Sequence, residues 1–382
     1  MKQRLFTPGP TPIHEAVARS MAAAMPHHRT EEFIECMQRT QQLLRRVYRT
    51  EDPIVLLSSS GTGAMEAAVV NLTRPGETVV HASGGKFTER WGELLRVFGR
   101  DVREIPMNWG EPVTPESVHD TVRKTHATAV FVTHSETSTG ALCDLQQIAR
   151  VARDLGALVV VDAITSLGAH RLETAQWKLD CVVGGSQKAF MMPPGLAFLS
   201  LGRKAQERLR DNPTPRYYFD LRPALDGVPT GQTPWTPAIS LVQGLEAACR
   251  VLVDEGLEQV WLRHQDHADA VRAGVEALGL RTVSQRPSNA VTAVWIPEDL
   301  SADGLRQWMW ETFQIKIAGG QGPLRGRIVR LGHLGAIDEA DILLLMTAFE
   351  RALIQQGFRP PRSVVDVVAE RLQRRSPARS TP

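Results

Sequence analysis

Gly184-Gly185-Ser186-Gln187-Lys188-Ala189-Phe190-Met191-Met192-Pro193-Pro194-Gly195 is the stretch from which the fold can be read. One lysine stands in a segment built for close backbone packing, opened by two glycines and closed by Pro-Pro-Gly. Upstream, Leu179 to Val183 is a short apolar run that reads as a buried strand; Leu196 to Leu201 is another downstream. Most lysines are solvated on surface loops, but these flanks leave little room for one. A lysine between two buried strands is costly unless its charge is used or removed. An amine held in an apolar pocket has a lowered pKa and can form a Schiff base with an aldehyde.

Moving outward, strands and helices alternate from Pro53 onward. Ile54–Leu57, Thr78–His81, Val102–Ile105, Ala129–Val132 and Ala157–Val161 read as strands. Helices at 64–72, 89–98, 115–124 (N-cap Thr114) and 145–155 separate them. Strands that are apolar throughout, alternating with helices, predict a mainly parallel sheet covered on both faces. Such sheets bind ligands at the carboxyl ends of their strands. Before them, Thr7-Pro8-Gly9-Pro10-Thr11-Pro12 cannot be helix and reads as an extended arm. A helix is expected from Ile13 to Pro26, and a second from the N-cap Thr30 to about Arg49. After Pro237 the texture changes to long helices, 241–253 and 257–278, then short strands at 290–295 and 328–331 between helices 302–313 and 339–356. The expected division is an N-terminal arm (1–20), a large domain (21–255), a smaller α+β C-terminal domain (256–370) and a flexible tail (371–382).

Composition narrows the function classes. The chain has 382 residues, 42% of them hydrophobic, enough for a large core. Lys plus Arg is 44 against 42 Asp plus Glu, a formal charge of +2, which argues for neither nucleic acid nor membrane as a partner. Four scattered cysteines, Cys36, Cys143, Cys181 and Cys249, suggest no metal site and no disulfide framework. No signal region and no run of eighteen apolar residues is found, so the expected location is cytoplasmic.

The aldehyde that suits Lys188 is pyridoxal phosphate, which asks four things of a protein: the lysine, an acid for the ring nitrogen, a phosphate cradle and a surface to lie on. Asp162 ends Leu158-Val159-Val160-Val161, where ligands bind; a pyridinium N–H would pair with it, though an ordinary helix N-cap reads equally well. Ser58 to Gly63 is a small-residue turn into a helix, able to offer free N–H groups to a phosphate; it lacks a full dinucleotide or nucleotide-triphosphate pattern. Phe87, behind Ser83-Gly84-Gly85-Lys86, can stack on a flat cofactor or simply fill a core. Thr133 to Gly140 is a cluster of hydrogen-bonding side chains after another central strand. Each signal is weak alone; their succession along one sheet edge is not.

These stretches, with Thr7-Pro8-Gly9-Pro10-Thr11, Ser59 to Ala67, Pro193-Pro194-Gly195 and Arg330-Leu331-Gly332-His333-Leu334-Gly335, resemble the class V, fold-type I pyridoxal-phosphate aminotransferases, near the alanine–glyoxylate and serine–glyoxylate (serine–pyruvate) group. The resemblance covers nearly the whole chain. It implies that Lys188 carries the cofactor and shuttles a proton, and that Asp162 pairs with the ring nitrogen. Ser60, Gly61, Thr62 and Gln187 would hold the phosphate, and Thr137 the ring-hydroxyl side. Phe87 takes the stacking place that is often Trp or Tyr. It further implies a homodimer with shared active sites, Gln232 and Thr236 reaching the neighbour's phosphate. Arg330 would grip the substrate carboxylate. His28-Arg29 is a second cationic spot, which either reads a donor side chain or lines the entrance. The implied reaction moves an amino group from alanine, serine or aspartate to glyoxylate or a pyruvate-like 2-oxo acid. The alternatives are a lyase or cysteine desulfurase on the same fold, or a non-catalytic cofactor-binding protein. A desulfurase needs a mobile thiol, and the last cysteine, Cys249, lies in a helical pattern.

Overall fold

The structure is a computed structural model that describes residues 2–374. The chain opens with strand β1 (Arg4–Phe6), helix α1 (Glu15–Met21) and the long helix α2 (Glu31–Tyr48). Alternation then begins: β2 (Ile54–Leu57), α3 (Gly61–Leu72), β3 (Thr78–Ala82), α4 (Lys86–Val97), β4 (Asp101–Ile105), α5 (Pro115–Thr125) and β5 (Ala129–Thr133). A small hairpin, β6 (Ser135–Glu136) and β7 (Ala141–Leu142), precedes α6 (Leu145–Asp154), β8 (Leu158–Asp162), β9 (Cys181–Gly185) and β10 (Ala197–Leu201). Next come α7 (Arg203–Asp211), α8 (Leu221–Gly227), α9 (Ile239–Glu255) and α10 (Leu257–Ala277). The last part holds β11 (Val291–Trp295), α11 (Ala302–Phe313), β12 (Ile315–Gly319), β13 (Ile328–Gly332), α12 (Glu339–Gln355) and α13 (Val364–Gln373).

The larger sheet runs β2-β10-β9-β8-β5-β3-β4. β9, β8, β5, β3 and β4 pair in parallel, and β10 pairs antiparallel with both β9 and β2, so β10 alone runs against the rest. Strands β5, β8, β9 and β10 are buried along their whole length, which is why they read as unbroken apolar runs. β4 is an edge strand and shows the usual defence: Arg103 and Glu104 are exposed on it. Apolar cores pack on each face, one with α2, α6 and α9, the other with α3, α7 and α8.

A second sheet has the order β1-β12-β13-β11. β1 pairs in parallel with β12, Arg4 opposite Ile315 and Phe6 opposite Ile317. Phe6 is therefore core, packed in one cluster with Ile315, Ile317, Val329, Leu331 and residues of α11, α12 and α13. Helix α10 serves both cores: Leu257 and Val260 join the first, Ala270, Val271 and Val275 the second.

Several local expectations are corrected. The first helix stops at Met21 instead of running to Pro26; Ala22, Ala23 and Ala24 are exposed and bring no apolar face, and short helices need packing to persist. Thr30 is the N-cap of α2, but its hydroxyl turns back to the His27 carbonyl. Helix α3 starts at Gly61, three residues before the expected point, and α4 at Lys86, so Phe87 lies inside a helix and not ahead of one. β1, β12, α7, α8 and α13 were not anticipated. Helix α13 takes in Arg371 to Gln373; residues 375–382 of the expected tail lie outside the described residues.

Phe6→Ala tests the role of β1. Emptying that site should lower the unfolding free energy of the second sheet by about 3–5 kcal/mol, measured by denaturant titration of the cofactor-free protein.

Candidate active site

The antiparallel turn of β10 places the lysine. β9 ends at Gly185 and β10 begins opposite it, at Ala197, so the loop 186–196 hangs at the carboxyl edge of the parallel strands. Asp162 ends the neighbouring β8, and Thr133 ends β5 directly opposite Asp162. Lys188 and Asp162 thus reach one edge from adjacent strands.

Lys188 is only 8% exposed. Its Nζ donates to the Pro8 carbonyl at 2.6 Å, and its own carbonyl accepts the Thr11 hydroxyl at 2.8 Å. The proline-rich arm therefore lies across the lysine. Gly9 is required at the crossing: its φ is +143°, and a Cβ there would stand 2.4 Å from Nζ. Burial pulls the Lys188 amine down to about 8; Asp162 and Glu136 oppose the shift, while Arg330 and Arg90 add to it. Asp162 is 5% exposed and is pushed up to about 6, chiefly by burial, with the Ile164 N–H bond acting against it. Its Oδ1 accepts Ile164 N–H at 2.9 Å, and Oδ2 has only a long 3.4 Å bond from Thr133. A buried acid so placed is suited to a cationic N–H donor.

Beside them, Ser60 is the N-cap of α3, yet its hydroxyl makes no capping bond. Gly61 and Thr62 are the first two helical residues, whose N–H groups have no acceptor within the helix. A Cβ on Gly61 would meet Ile164 at 2.4 Å, so the cradle is packed against the segment after Asp162. Gln187, next to the lysine, has a buried Oε1 with no partner. Arg90, which sequence reasoning overlooked, donates to the Thr62 hydroxyl at 3.1 Å and lies 4.9 Å over the Phe87 ring. Only its i+3 spacing from Phe87 could have flagged it.

Arg330 leaves β13 for the same place. It is 7% exposed, donating from Nε to Gly319 (2.8 Å) and from Nη1 to the Thr137 carbonyl (3.0 Å). Burial holds its pKa down to about 10, against the pull of Glu136. A cavity of about 740 Å³ opens on it, with Lys86, Arg306, Lys316 and Arg325 along its wall and Asp303 as an opposing charge.

His28, Arg29, Gln232 and Thr236 are the remaining expected site residues. Arg29 donates to the Gln232 side chain, and Arg29 and Thr236 are exposed. Among the described residues, no hydrogen bond ties these four to Lys188, Asp162 or Arg330. All four cysteines are buried free thiols. Burial pushes Cys36 and Cys143 up to about 12 and Cys181 and Cys249 higher still, the opposite of an activated nucleophile. Among the described residues no group of three or more His, Cys, Asp or Glu could hold a metal ion, and no helix is long and apolar enough to cross a membrane.

Pyridoxal phosphate answers the site's unmet chemistry. Its aldehyde complements an amine whose pKa burial lowers, its ring nitrogen a buried acid, and its phosphate an uncapped helix start. With the sheet order above, this defines a pyridoxal-phosphate enzyme of fold type I. The comparisons narrow the class. The Aminotransferase class-V family model matches residues 10–321, and the chain belongs to that family, as a pyridoxal-phosphate-dependent aminotransferase. It is 40% identical over 363 residues, 94% of each chain, to the protein named soluble hydrogenase, small subunit, of Synechococcus sp. (strain PCC 6716). It is 34% identical over 362 residues to the L-aspartate–glyoxylate aminotransferase of Paracoccus denitrificans, covering 92% of this chain and 91% of the relative. The crystal structure of alanine–glyoxylate aminotransferase from Nostoc sp. matches with a TM-score of 0.89 at 29% identity, over 92% of this chain and 96% of the other.

The lowered lysine predicts a pH profile. Capture of the aldehyde needs the free amine, which becomes about tenfold scarcer for each pH unit below about 8. Rebinding of pyridoxal phosphate to cofactor-free enzyme, followed by absorbance, should speed up about tenfold per unit from pH 6 to 7 and level off above about 8. A flat profile from pH 6 to 9 contradicts the assignment.

Proposed function

We propose that the enzyme moves the amino group of a small amino acid (alanine, serine or aspartate) to glyoxylate or a pyruvate-like 2-oxo acid. The observation that carries this reading is Arg330. Two of its nitrogens are held by fixed backbone carbonyls, Gly319 and Thr137, which locks the guanidinium plane beside Lys188 and leaves Nη2 for a carboxylate. The α-carboxylate is the one group that amino donors and 2-oxo acceptors share, and a planar guanidinium suits it. The similar proteins named aspartate–glyoxylate and alanine–glyoxylate aminotransferase favour small substrates.

When bound, pyridoxal phosphate supplies an electron sink that acidifies the substrate Cα–H. Lys188 Nζ takes that proton and returns it, acting as general base and then acid; burial lowers its pKa to about 8, so far more of it is free amine near neutral pH than of an ordinary lysine. Asp162 holds the proton on the ring nitrogen. Ser60, Gly61, Thr62 and Gln187 grip the phosphate, Thr137 the ring-hydroxyl side, and Phe87 covers one face of the ring. The arm Thr7 to Thr11 keeps water from the lysine. Exposed Tyr217 and Tyr218 pack on half-buried Trp235 beside the loop of Gln232 and Thr236, an aromatic patch that supports a homodimer whose partner meets this face. In that assembly Gln232 and Thr236 reach the neighbour's phosphate, and His28 and Arg29 read a donor side chain. We further take the division into arm, large domain and small domain, and a cytoplasmic location, as part of this reading.

A donor-by-acceptor matrix with glyoxylate, pyruvate and 2-oxoglutarate tests the substrates directly; no turnover with either glyoxylate or pyruvate removes the reading. Arg330→Lys should raise KM for every donor and acceptor alike, losing about 1.5–3 kcal/mol of charged hydrogen bonding. Arg29→Ala should instead reorder alanine, serine and aspartate. If Arg29→Ala raises all KM values and Arg330→Lys none, the two roles are exchanged.

Lys188→Ala should lose turnover by several orders of magnitude, and borohydride should fix the cofactor to the Lys188 peptide alone. Asp162→Asn should keep the fold yet lose most activity, since a neutral amide does not hold the ring proton; near-normal kcat removes Asp162 from the chemistry.

A further inference from the structure

The site contains one more buried carboxylate, and its partners reveal its use. Glu136 ends β6 and is 4% exposed. Its two oxygens are shared between two segments. Oε2 accepts the backbone N–H groups of Phe87 and Thr88, each at 2.9 Å. Oε1 accepts the Ser138 N–H at 2.9 Å and the Ser138 hydroxyl at 2.7 Å. The Ser138 hydroxyl in turn accepts the Lys86 N–H at 3.0 Å.

Phe87 and Thr88 are the second and third residues of α4, and the N-cap Gly85 has no side chain to serve them. Glu136 therefore caps α4 from a distant segment. Gly85 makes room for this: a Cβ there would lie 2.3 Å from the Glu136 Cγ. The other side of the carboxylate fixes the turn containing Thr137, whose carbonyl holds Arg330. One side chain thus joins the helix that carries Phe87 to the turn that orients Arg330.

We propose that Glu136 is a positioning residue that sets the ring-covering Phe87 and the carboxylate-gripping Arg330 at a fixed spacing across the pocket. This rests on the roles given above to Phe87 and Arg330. A plain fold-stabilising cap needs only the Phe87 and Thr88 bonds; dividing four donors between two site-forming segments ties the cap to the pocket.

Glu136→Gln keeps the size but leaves a single acceptor oxygen. Whichever way the amide turns, its NH2 faces either the α4 N–H pair or the Ser138 donors. The variant should bind pyridoxal phosphate at least tenfold more weakly, show a diminished visible circular dichroism band from the bound cofactor, and raise KM for donors and acceptors together. Ser138→Ala loosens only one side and should give a weaker form of the same band change and KM rise. Lower thermal stability in Glu136→Gln with wild-type cofactor Kd, band and KM overturns the proposal, leaving Glu136 as a fold cap. If Glu136→Gln does not fold, wild-type band and KM in Ser138→Ala overturn it instead. Phe87→Ala separates this from the reading it rests on. If Phe87→Ala leaves cofactor Kd and band unchanged, the stacking assignment fails; if Phe87→Ala alters them and Glu136→Gln does not, the positioning role fails.

Discussion

A lysine amine whose charge is disfavoured by burial is the constraint around which this molecule is arranged. Lys188 has to sit where water does not stabilise its charge, yet within reach of a ligand. The structure meets both demands by reversing one strand. Because β10 returns against its neighbours, the β9–β10 loop lies at the ligand edge, where a parallel neighbour would need a long crossover. The arm then covers the lysine from the other side, offering the Pro8 carbonyl to its Nζ. The glycine at the crossing, the small residues at the start of α3 and the acid at the end of β8 all follow from that placement.

Much of this was legible from residues alone, because burial leaves a strong mark. Val159 to Val161 and Val182-Val183 are apolar on both faces, which only a covered sheet explains. Thr114 before Pro115 marked a helix start that the structure keeps, the Thr114 hydroxyl accepting the Ser117 N–H. What escaped was set by partners far along the chain. β1 is three residues long and exists because β12 lies beside it; Ile315-Lys316-Ile317 carries an alternation that marks an amphipathic strand, but too briefly to stand out. The start of α4 is fixed by Glu136, some fifty positions away, so no local capping signal could reveal it. Arg90 escaped for the same reason: its partner Thr62 belongs to another helix.

Electrostatics in the pocket follow one pattern. Lys188, Asp162 and Arg330 are each shifted mainly by burial toward the neutral form, so no single counter-ion neutralises another. Glu136 counters the burial shifts of the two cations but adds to that of the acid. Such a site is poised for charged ligands that complete it, and binding then contributes to stability in proportion to the logarithm of ligand concentration over Kd.

The first eleven residues have a consequence of their own. Phe6 is knitted into the second sheet, and Thr11 is bonded to the lysine loop of the first. Between them stand Thr7, Pro8, Gly9 and Pro10, a leash that can span no more than about 3.3–3.6 Å per residue and is stiffened by its prolines. The two sheets are thus mechanically geared to each other through the lysine. A displacement of one relative to the other that exceeds the slack of this leash has to pull the Pro8 carbonyl from the amine, so the position of the second sheet is felt at the reactive nitrogen.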